Sequence, residues 1–407
     1  MSEWPSIELA SAARVLRGVS FGAADATPDP RPGSIACLTT AAVKAEPEWG
    51  TARYVRSSLV KDDQLLRPGD ILVSTSNSAE TVGRSCLISS VPEMATFGAF
   101  VTVARPDPDV FDPRFLAAWM RSGMYQAAID RLKTRTTNIS NLRSSDLGRL
   151  RVPLPPLDEQ RRIAARLRER LAAVAELEPS FARRGEALGR LRRTLLSDIF
   201  ERLFADLGSA AKLGHVIRQR NEIVHPRDSP TGTALFVGLE HIESASGRRI
   251  GDVPLDLATM TGRKARFFPG DIVYGYLRPY LNKVWLADLE GFCSVDQYVL
   301  SVDGGRADAG FVALYFLSDA YLSRAPITTT PGQLPRIRSG EVLSVPVPLP
   351  SLDDQRQVAA RLRGQLAEIN RTRAALEAQR AAVDALPAAL LRDVFGQAHA
   401  APPIAAV

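Results

Sequence analysis

Between Tyr274 and Lys283 the chain reads Tyr-Gly-Tyr-Leu-Arg-Pro-Tyr-Leu-Asn-Lys, interleaving aromatic rings with two cations and an amide. Arg and Asn side chains can read the edges of guanine and adenine, and Tyr and Lys can hold phosphate oxygens. Tyr276, Arg278, Asn282 and Lys283 are therefore candidate nucleic-acid contacts. The same alternation of tyrosines also describes a half-buried strand, and Arg278 could instead close an internal ion pair with Asp271 or Asp296. Ser74-Thr-Ser76-Asn77 holds the corresponding place in the first half, which adds Ser74, Ser76 and Asn77. Two polar loops, Thr134-Arg135-Thr-Thr137-Asn138 and Thr328-Thr-Thr-Pro-Gly-Gln333, contribute Arg135, Thr137, Asn138 and Gln333, with Arg336 just beyond; a solvated loop is the competing reading of each.

Catalytic signatures are missing around these candidates. The sequence has no Gly-rich phosphate loop ending in Lys-Ser/Thr and no G-x-G-x-x-G. His215, His225, His241 and His399 show no metal spacing with one another or with the cysteines. No carboxylate lies two residues before any lysine, so the Asp/Glu-x-Lys ending of nuclease sites is absent, as is the Asn/Asp-Pro-Pro-Tyr/Phe tetrapeptide of amino-methyltransferases. The sequence therefore reads as non-catalytic, with no cofactor or metal of its own. The net charge of +6 is uneven: 12 basic against 8 acidic residues in 151–204, but 15 against 15 in 205–345. A chain that holds DNA alone usually has a stronger basic excess, so a DNA-binding reading expects the basic groups to be concentrated on one face or a partner to supply part of the phosphate attraction.

What must position the candidates is a duplicated framework. Residues 152–168 read VPLPPLDEQRRIAARLR and 347–363 read VPLPSLDDQRQVAARLR, with 13 of 17 positions identical at an offset of 195. The register holds without a gap to LLSDIF (195–200) against LLRDVF (390–395). Before each repeat the likeness is looser: Arg67-Pro-Gly-Asp-Ile-Leu72 matches Phe268-Pro-Gly-Asp-Ile-Val273 at an offset of 201. Insertions have accumulated in the globular parts, where loops tolerate them, and not in the helices.

Within the repeats Leu167, Val174, Phe181, Leu188 and Leu195 recur every seven residues, as do Leu362, Ile369, Leu376, Val383 and Leu390. A sustained heptad stripe predicts a coiled coil, most simply of these two helices with each other; two separate amphipathic helices are the alternative. The proline runs cannot be helical, so Asp158 is the expected N-cap of the first helix, and Asp353 and Asp354 open the second in the same way. Pro179, with Gly185 and Gly189, predicts a first helix that is bent or in two pieces, and Pro387 weakens the second.

The globular blocks alternate short strand-like runs (70–74, 97–103, 235–239, 271–274 and 298–302) with helical stretches at Arg114–Leu132 and Gly310–Arg324. The expected fold class is α+β: two similar domains, residues 1–150 and 205–345, each followed by a conserved helical region, 151–204 and 346–400. No run of 18 uncharged apolar residues exists to span a membrane. The first ten residues lack the basic and apolar parts of a signal peptide. Cys37, Cys86 and Cys293 are odd in number and far apart, which suggests reduced thiols in a cytosol.

These features carry a family resemblance. The Pro-Gly-Asp-Ile segment, the Thr-rich loop and P-L-P-x-L-D-x-Q opening a long helix occur in both halves. FVGLEHIESASGRRI (236–250) and PGDIVYGYLRPYLNKVWLA (269–287) look similar to target recognition domains. Over residues 4 to about 396 the chain resembles the specificity subunit of type I restriction–modification systems. That resemblance implies two target recognition domains, each binding one half of an interrupted site in double-stranded DNA, spaced by an antiparallel coiled coil. It implies two methyltransferase (modification) subunits that bring S-adenosylmethionine, and restriction/translocase subunits that use ATP and Mg. The first half lacks the Tyr-x-Arg-Pro-Tyr run, so its contacts do not follow from those of the second. A coiled-coil scaffold for another ligand and one part of a fused methyltransferase–nuclease are the competing functions.

Overall fold

Each long helix begins where its proline run ends. In chain order the helices are α1 (Pro113–Trp119), α2 (Gly123–Leu132), α3 (Ser144–Gly148), α4 (Leu157–Leu207), α5 (Ala309–Phe316), α6 (Asp319–Leu322), α7 (Ser339–Ser344) and α8 (Leu352–Phe395). The computed structural model describes residues 4–135, 140–328 and 334–396. Two compact units divide it: Met1–Ser180 with Gln379–Val407, and Phe181–Ala378. Among the described residues no helix is long and apolar enough to cross a membrane.

The helix starts differ from the sequence expectation in detail. Helix α4 begins two residues earlier than a cap at Asp158 requires, so Asp158 lies in its first turn, beside Arg161, rather than capping it. Helix α8 is capped by Ser351: its hydroxyl accepts from the Asp354 amide (3.2 Å) and donates to the Asp354 carboxylate (2.6 Å). A hydroxyl one residue before the helix reaches the orphan N–H groups of the first turn; the first copy has Pro156 there instead. Nor does Pro179 divide the first helix, since α4 runs unbroken from Leu157 to Leu207. An interior proline costs about 3 kcal/mol, a loss that burial of stripe residues such as Leu167 and Phe181 offsets. Conversely, the single helices expected at 114–132 and 310–324 are each broken in two. Ser122 and Ser318 interrupt them by capping the second piece, accepting from the amides of Tyr125 and Tyr321.

Each unit pairs the two long helices antiparallel. In the first, Ala164 and Leu167, early in α4, share a core with Leu391 and Phe395, late in α8. In the second, Leu195 and Leu196, late in α4, pack with Leu362, Leu366 and Ile369, early in α8. The repeated LLxDxF ending seats the globular parts: Phe395 lies 5.5 Å from Phe115, and Phe200 lies 5.2 Å from Phe311, ring centroid to centroid. The repeated glutamine closes the joint. Gln160, fully buried, accepts from the Asp112 amide (2.9 Å) and donates to the carbonyls of Val110 (3.0 Å) and Pro155 (2.9 Å). Gln355 does the same with Asp308 (3.0 Å), Arg306 (3.4 Å) and Pro350 (3.0 Å).

The sheets repeat too. The first unit has a four-stranded antiparallel sheet in the order Ala13–Arg17, Val101–Pro106, Ile71–Ser74, Ser85–Leu87. Its counterpart runs Ile217–Gln219, Gln297–Val302, Ile272–Gly275, Val284–Leu286. A second sheet in each unit contains one parallel pair, Ser34–Leu38 with Ala95–Phe97 and Thr233–Val237 with Gly291–Ser294. The second unit adds the Lys264–Phe267 strand to that sheet.

Candidate nucleic-acid interface

The Pro-Gly-Asp turn launches the central strand of each first sheet. Gly69 and Gly270 take φ of 97° and 91°, a region open to glycine. The following aspartate closes the turn: Asp70 accepts from the Arg67 amide (2.8 Å) and Asp271 from the Phe268 amide (2.9 Å). Each buried carboxylate is also gripped by a guanidinium, Asp70 by Arg105 (2.7 and 2.8 Å) and Asp271 by Arg220 (2.9 and 3.1 Å). The bond to Asp271 is the main cause that raises the pKa of Arg220. Arg220, and not Arg278, is thus the ion-pair partner of Asp271.

The strand exits onto the polar loop in the same register in both units. The Leu142 amide donates to Thr75 O (2.8 Å), and Ser76 and Asn77 pair with Asn141 and Ser140. In the second unit the Ile337 amide donates to Tyr276 O (3.2 Å), Leu277 bridges Arg336, and the Arg278 amide donates to Pro335 O (2.7 Å). These partners lie at the two offsets of the duplication, 277 − 76 = 201 and 336 − 141 = 195. The loop's other arm pairs back, Thr134 with Asn141 and Thr328 with Arg336. Two segments far apart in sequence therefore form one edge, twice.

Side chains on that edge differ. Arg278 is exposed, holds φ of 50°, and has no ion pair among the described residues. Arg336 is exposed beside it. The Tyr276 ring stacks on Tyr298 at 4.4 Å and 18°. Burial, reinforced by Asp296, pushes the Tyr276 phenol up, against the opposing pull of Arg336 and Arg263. It therefore stays a neutral hydroxyl at physiological pH. Tyr298 donates to Ile337 O (3.2 Å). In the first unit Ser76 and Asn77 are half-buried; the Asn77 amide donates to Thr40 (3.1 Å) and its carbonyl accepts from the Ser78 amide (2.8 Å).

Three sequence candidates do not present their side chains to solvent. Ser74 is 1% exposed, because it ends an interior strand with its hydroxyl turned inward. Asn282 is 2% exposed and occupies a left-handed turn (φ 47°), a conformation asparagine tolerates. Lys283 is half-buried, its ammonium donating to Leu239 O at 2.5 Å. Arg135 pairs through its backbone with Ser140. Thr137, Asn138 and Gln333 lie outside the described residues. Sequence reading missed Arg143 and Arg338, exposed at the start of α3 and α7 just past each paired arm. Their separation of 195, the offset of the ungapped repeat, was the available signal.

The second edge is braced from the helix. Arg192 of α4, 4% exposed, donates to the carbonyls of Ala245 (2.9 Å) and Ser246 (2.6 Å), and the Ala245 amide donates to Asn282 O (2.9 Å). Burial first, then neighbouring Arg373, brings the pKa of Arg192 down to about 10, which leaves it charged near neutrality. All three cysteines are buried, and that burial pushes each thiol up to about 12. Among the described residues no three His, Cys, Asp or Glu side chains are grouped to hold a metal ion.

Two α+β units that repeat one sheet order, each packed on its own antiparallel segments of the long helices, define a duplicated protein. Residues 38–178 match the family model of the type I restriction modification DNA specificity domain. The chain is 24% identical over 304 residues to the type I restriction enzyme EcoDI specificity subunit of Escherichia coli, spanning 65% of this chain and 65% of that protein. The fold is that of the HsdS subunit from Thermoanaerobacter tengcongensis (TM-score 0.60, 19% identity, 98% of each chain). A chain from work on complex assembly and conformational transition of the type I R-M system also shares it (TM-score 0.74, 19% identity, 97% of this chain and 98% of that one). The sequence matches are thus to specificity subunits of type I restriction enzymes, and the chain spans less than two thirds of the length of the curated relatives EcoDI and EcoKI.

Proposed function

We propose that this chain is the DNA-reading subunit of a type I restriction–modification complex and does no chemistry itself. Each globular part, 1–150 and 205–345, acts as a target recognition domain for one half of a bipartite DNA site. The helical regions, 151–204 and 346–400, space the two and recruit two methyltransferase subunits and the restriction/translocase subunits. S-adenosylmethionine, ATP and Mg belong to those partners, and the complex works in the cytoplasm. The observation that carries this reading is the twice-built edge, where the segment after the central strand pairs in one register with the polar loop before the helix. Arg278, Arg336 and Tyr276 are the contacts proposed for one half-site, Ser76 and Asn77 for the other, with Arg135, Thr137, Asn138 and Gln333 as further loop contacts. Methylation-sensitive sequencing of DNA from cells expressing the chain with its methyltransferase partner should reveal one interrupted motif. Loss of this chain should abolish it. Methyl transfer by the purified chain alone, or a single uninterrupted motif, would overturn the proposal.

A further inference from the structure

A cleft of about 420 Å³ opens in the first unit, bordered by Lys44, Arg84, Arg121 and Gln126, with Ser85 and Met120 in its lining. Ser85 is fixed there by its hydroxyl, which donates to Met120 O (3.2 Å). Lys44, exposed at the rim, pairs with the half-buried Glu48 (2.6 Å). Arg84 and Arg121 are exposed and have no anionic partner among the described residues. Among the described residues three cations and no carboxylate line the cleft, which leaves it cationic.

Its place in the fold says what it faces. Arg84 O accepts from the Ser74 amide (2.9 Å), so Arg84 adjoins the strand that delivers Ser76 and Asn77. The register makes Arg84 the counterpart of Lys283: Val73 pairs with Ser85 as Tyr274 pairs with Val284, one residue further on in each case. In the second unit that cation is tied down on Leu239 O. In the first it stands free at the edge of the cleft. Guanidinium forks match phosphate oxygens, and DNA lying on the recognition edge carries phosphates at regular intervals on both sides of the bases it presents.

We propose that this cleft binds backbone phosphates of DNA beside the half-site read by the first unit, with Arg84 and Arg121 as the charged contacts and Gln126 as a neutral donor. The inference rests on the proposed DNA-reading function. It accounts for how the first unit, whose central strand delivers only Ser76 and Asn77 to its edge, holds its half of the duplex.

Each phosphate contact adds about 0.9 to the slope of log affinity against log salt, a reading that a purely structural residue would not move. The full-length chain with its methyltransferase partner is titrated against a random-sequence duplex and its cognate duplex over a range of salt. Arg84→Ala/Arg121→Ala should flatten the slope by about 1.8 on both duplexes, so that between 50 and 200 mM salt the wild type loses about tenfold more affinity than the variant. Arg84→Lys/Arg121→Lys should restore the slope. An unchanged slope in the alanine variant would overturn the proposal. So would a variant that keeps its slope but no longer assembles with the partner, which would make the occupant an acidic protein surface. Binding of inorganic phosphate with no effect on the DNA slope would count against it as well. If the wild type itself binds no DNA, the proposed function fails first, and the two failures are told apart.

Discussion

The two edges proposed to read DNA share a backbone and differ in almost every side chain. The first presents Ser76, Asn77 and Asn141; the second presents a stacked Tyr276–Tyr298 pair, Arg278 and Arg336. Their support differs as well. Arg192 ties the 245–246 loop of the second unit to α4, but the residue 195 positions further on is Pro387, which has no side-chain donor. The residues that repeat most faithfully are the ones that join strand to turn and domain to helix: the Pro-Gly-Asp turn, the buried glutamine and the terminal phenylalanine. A frame held by backbone bonds and buried joints can be kept while the side chains it displays are exchanged. Under the proposed function, that separation would let one architecture read unrelated sequences.

The sharpest way to break the comparison is to remove a joint from one unit only. Phe200→Ala should cost about 3–5 kcal/mol, the usual loss for a buried aromatic. Hydrogen exchange should show the loss in α5 while α1 keeps its protection; equal loss in both would mean the joints are not separate. Arg192→Ala leaves two carbonyls without their charged donor and should cost about 1.5–3 kcal/mol, read from urea unfolding and from increased exchange at 243–248. Introducing arginine at Pro387, in the part of α8 that belongs to the first unit, should give no matching gain in urea unfolding.

Smaller effects sharpen the contrast between the edges. Arg278→Ala should lose roughly 1–3 kcal/mol of discrimination at one half-site, with an unchanged melting temperature, in competition binding against sites altered one base at a time. Asn77→Ala should lose less at the other half-site, because Asn77 already bonds Thr40 and the Ser78 amide. The reverse ranking would exclude Arg278 as a base contact. One further effect is shared by both units. Their thiols ionise near 8.5 when unfolded but only at about 12 when folded. The folded pKa lies above the unfolded one, so this stability is complete below pH ~8.5 and declines as pH rises toward 12. The urea midpoint should fall above pH ~9, and iodoacetamide at pH 8 should leave Cys37, Cys86 and Cys293 unmodified until the chain unfolds.

Much of this was legible in the sequence, for reasons that can be named. The ungapped 195-residue offset gave both long helices, and the heptad stripe gave their buried face, because helical side chains fall into place by spacing alone. The Pro-Gly-Asp-Ile segments marked both central strands. The breaks at Ser122 and Ser318 were not legible. Each depends on one hydroxyl reaching an amide three residues on, a local competition that apolar periodicity does not register.

The sequence by itself determined the duplication, the α+β class, the two helices and which segments carry hydrogen-bonding chemistry. Only the tertiary structure decided which of those groups face outward. Ser74, Asn282 and Lys283 were chosen by type, but strand position, a left-handed turn and a carbonyl 44 residues away turn them inward. Arg143 and Arg338 were passed over, although each is exposed beside a recognition edge. The pairing that builds each edge, Ser76 with Asn141 and Leu277 with Arg336, joins strands some sixty residues apart. The physical reason is that a side chain's type is local, whereas its direction is set by backbone hydrogen bonds to partners that only the folded chain brings near.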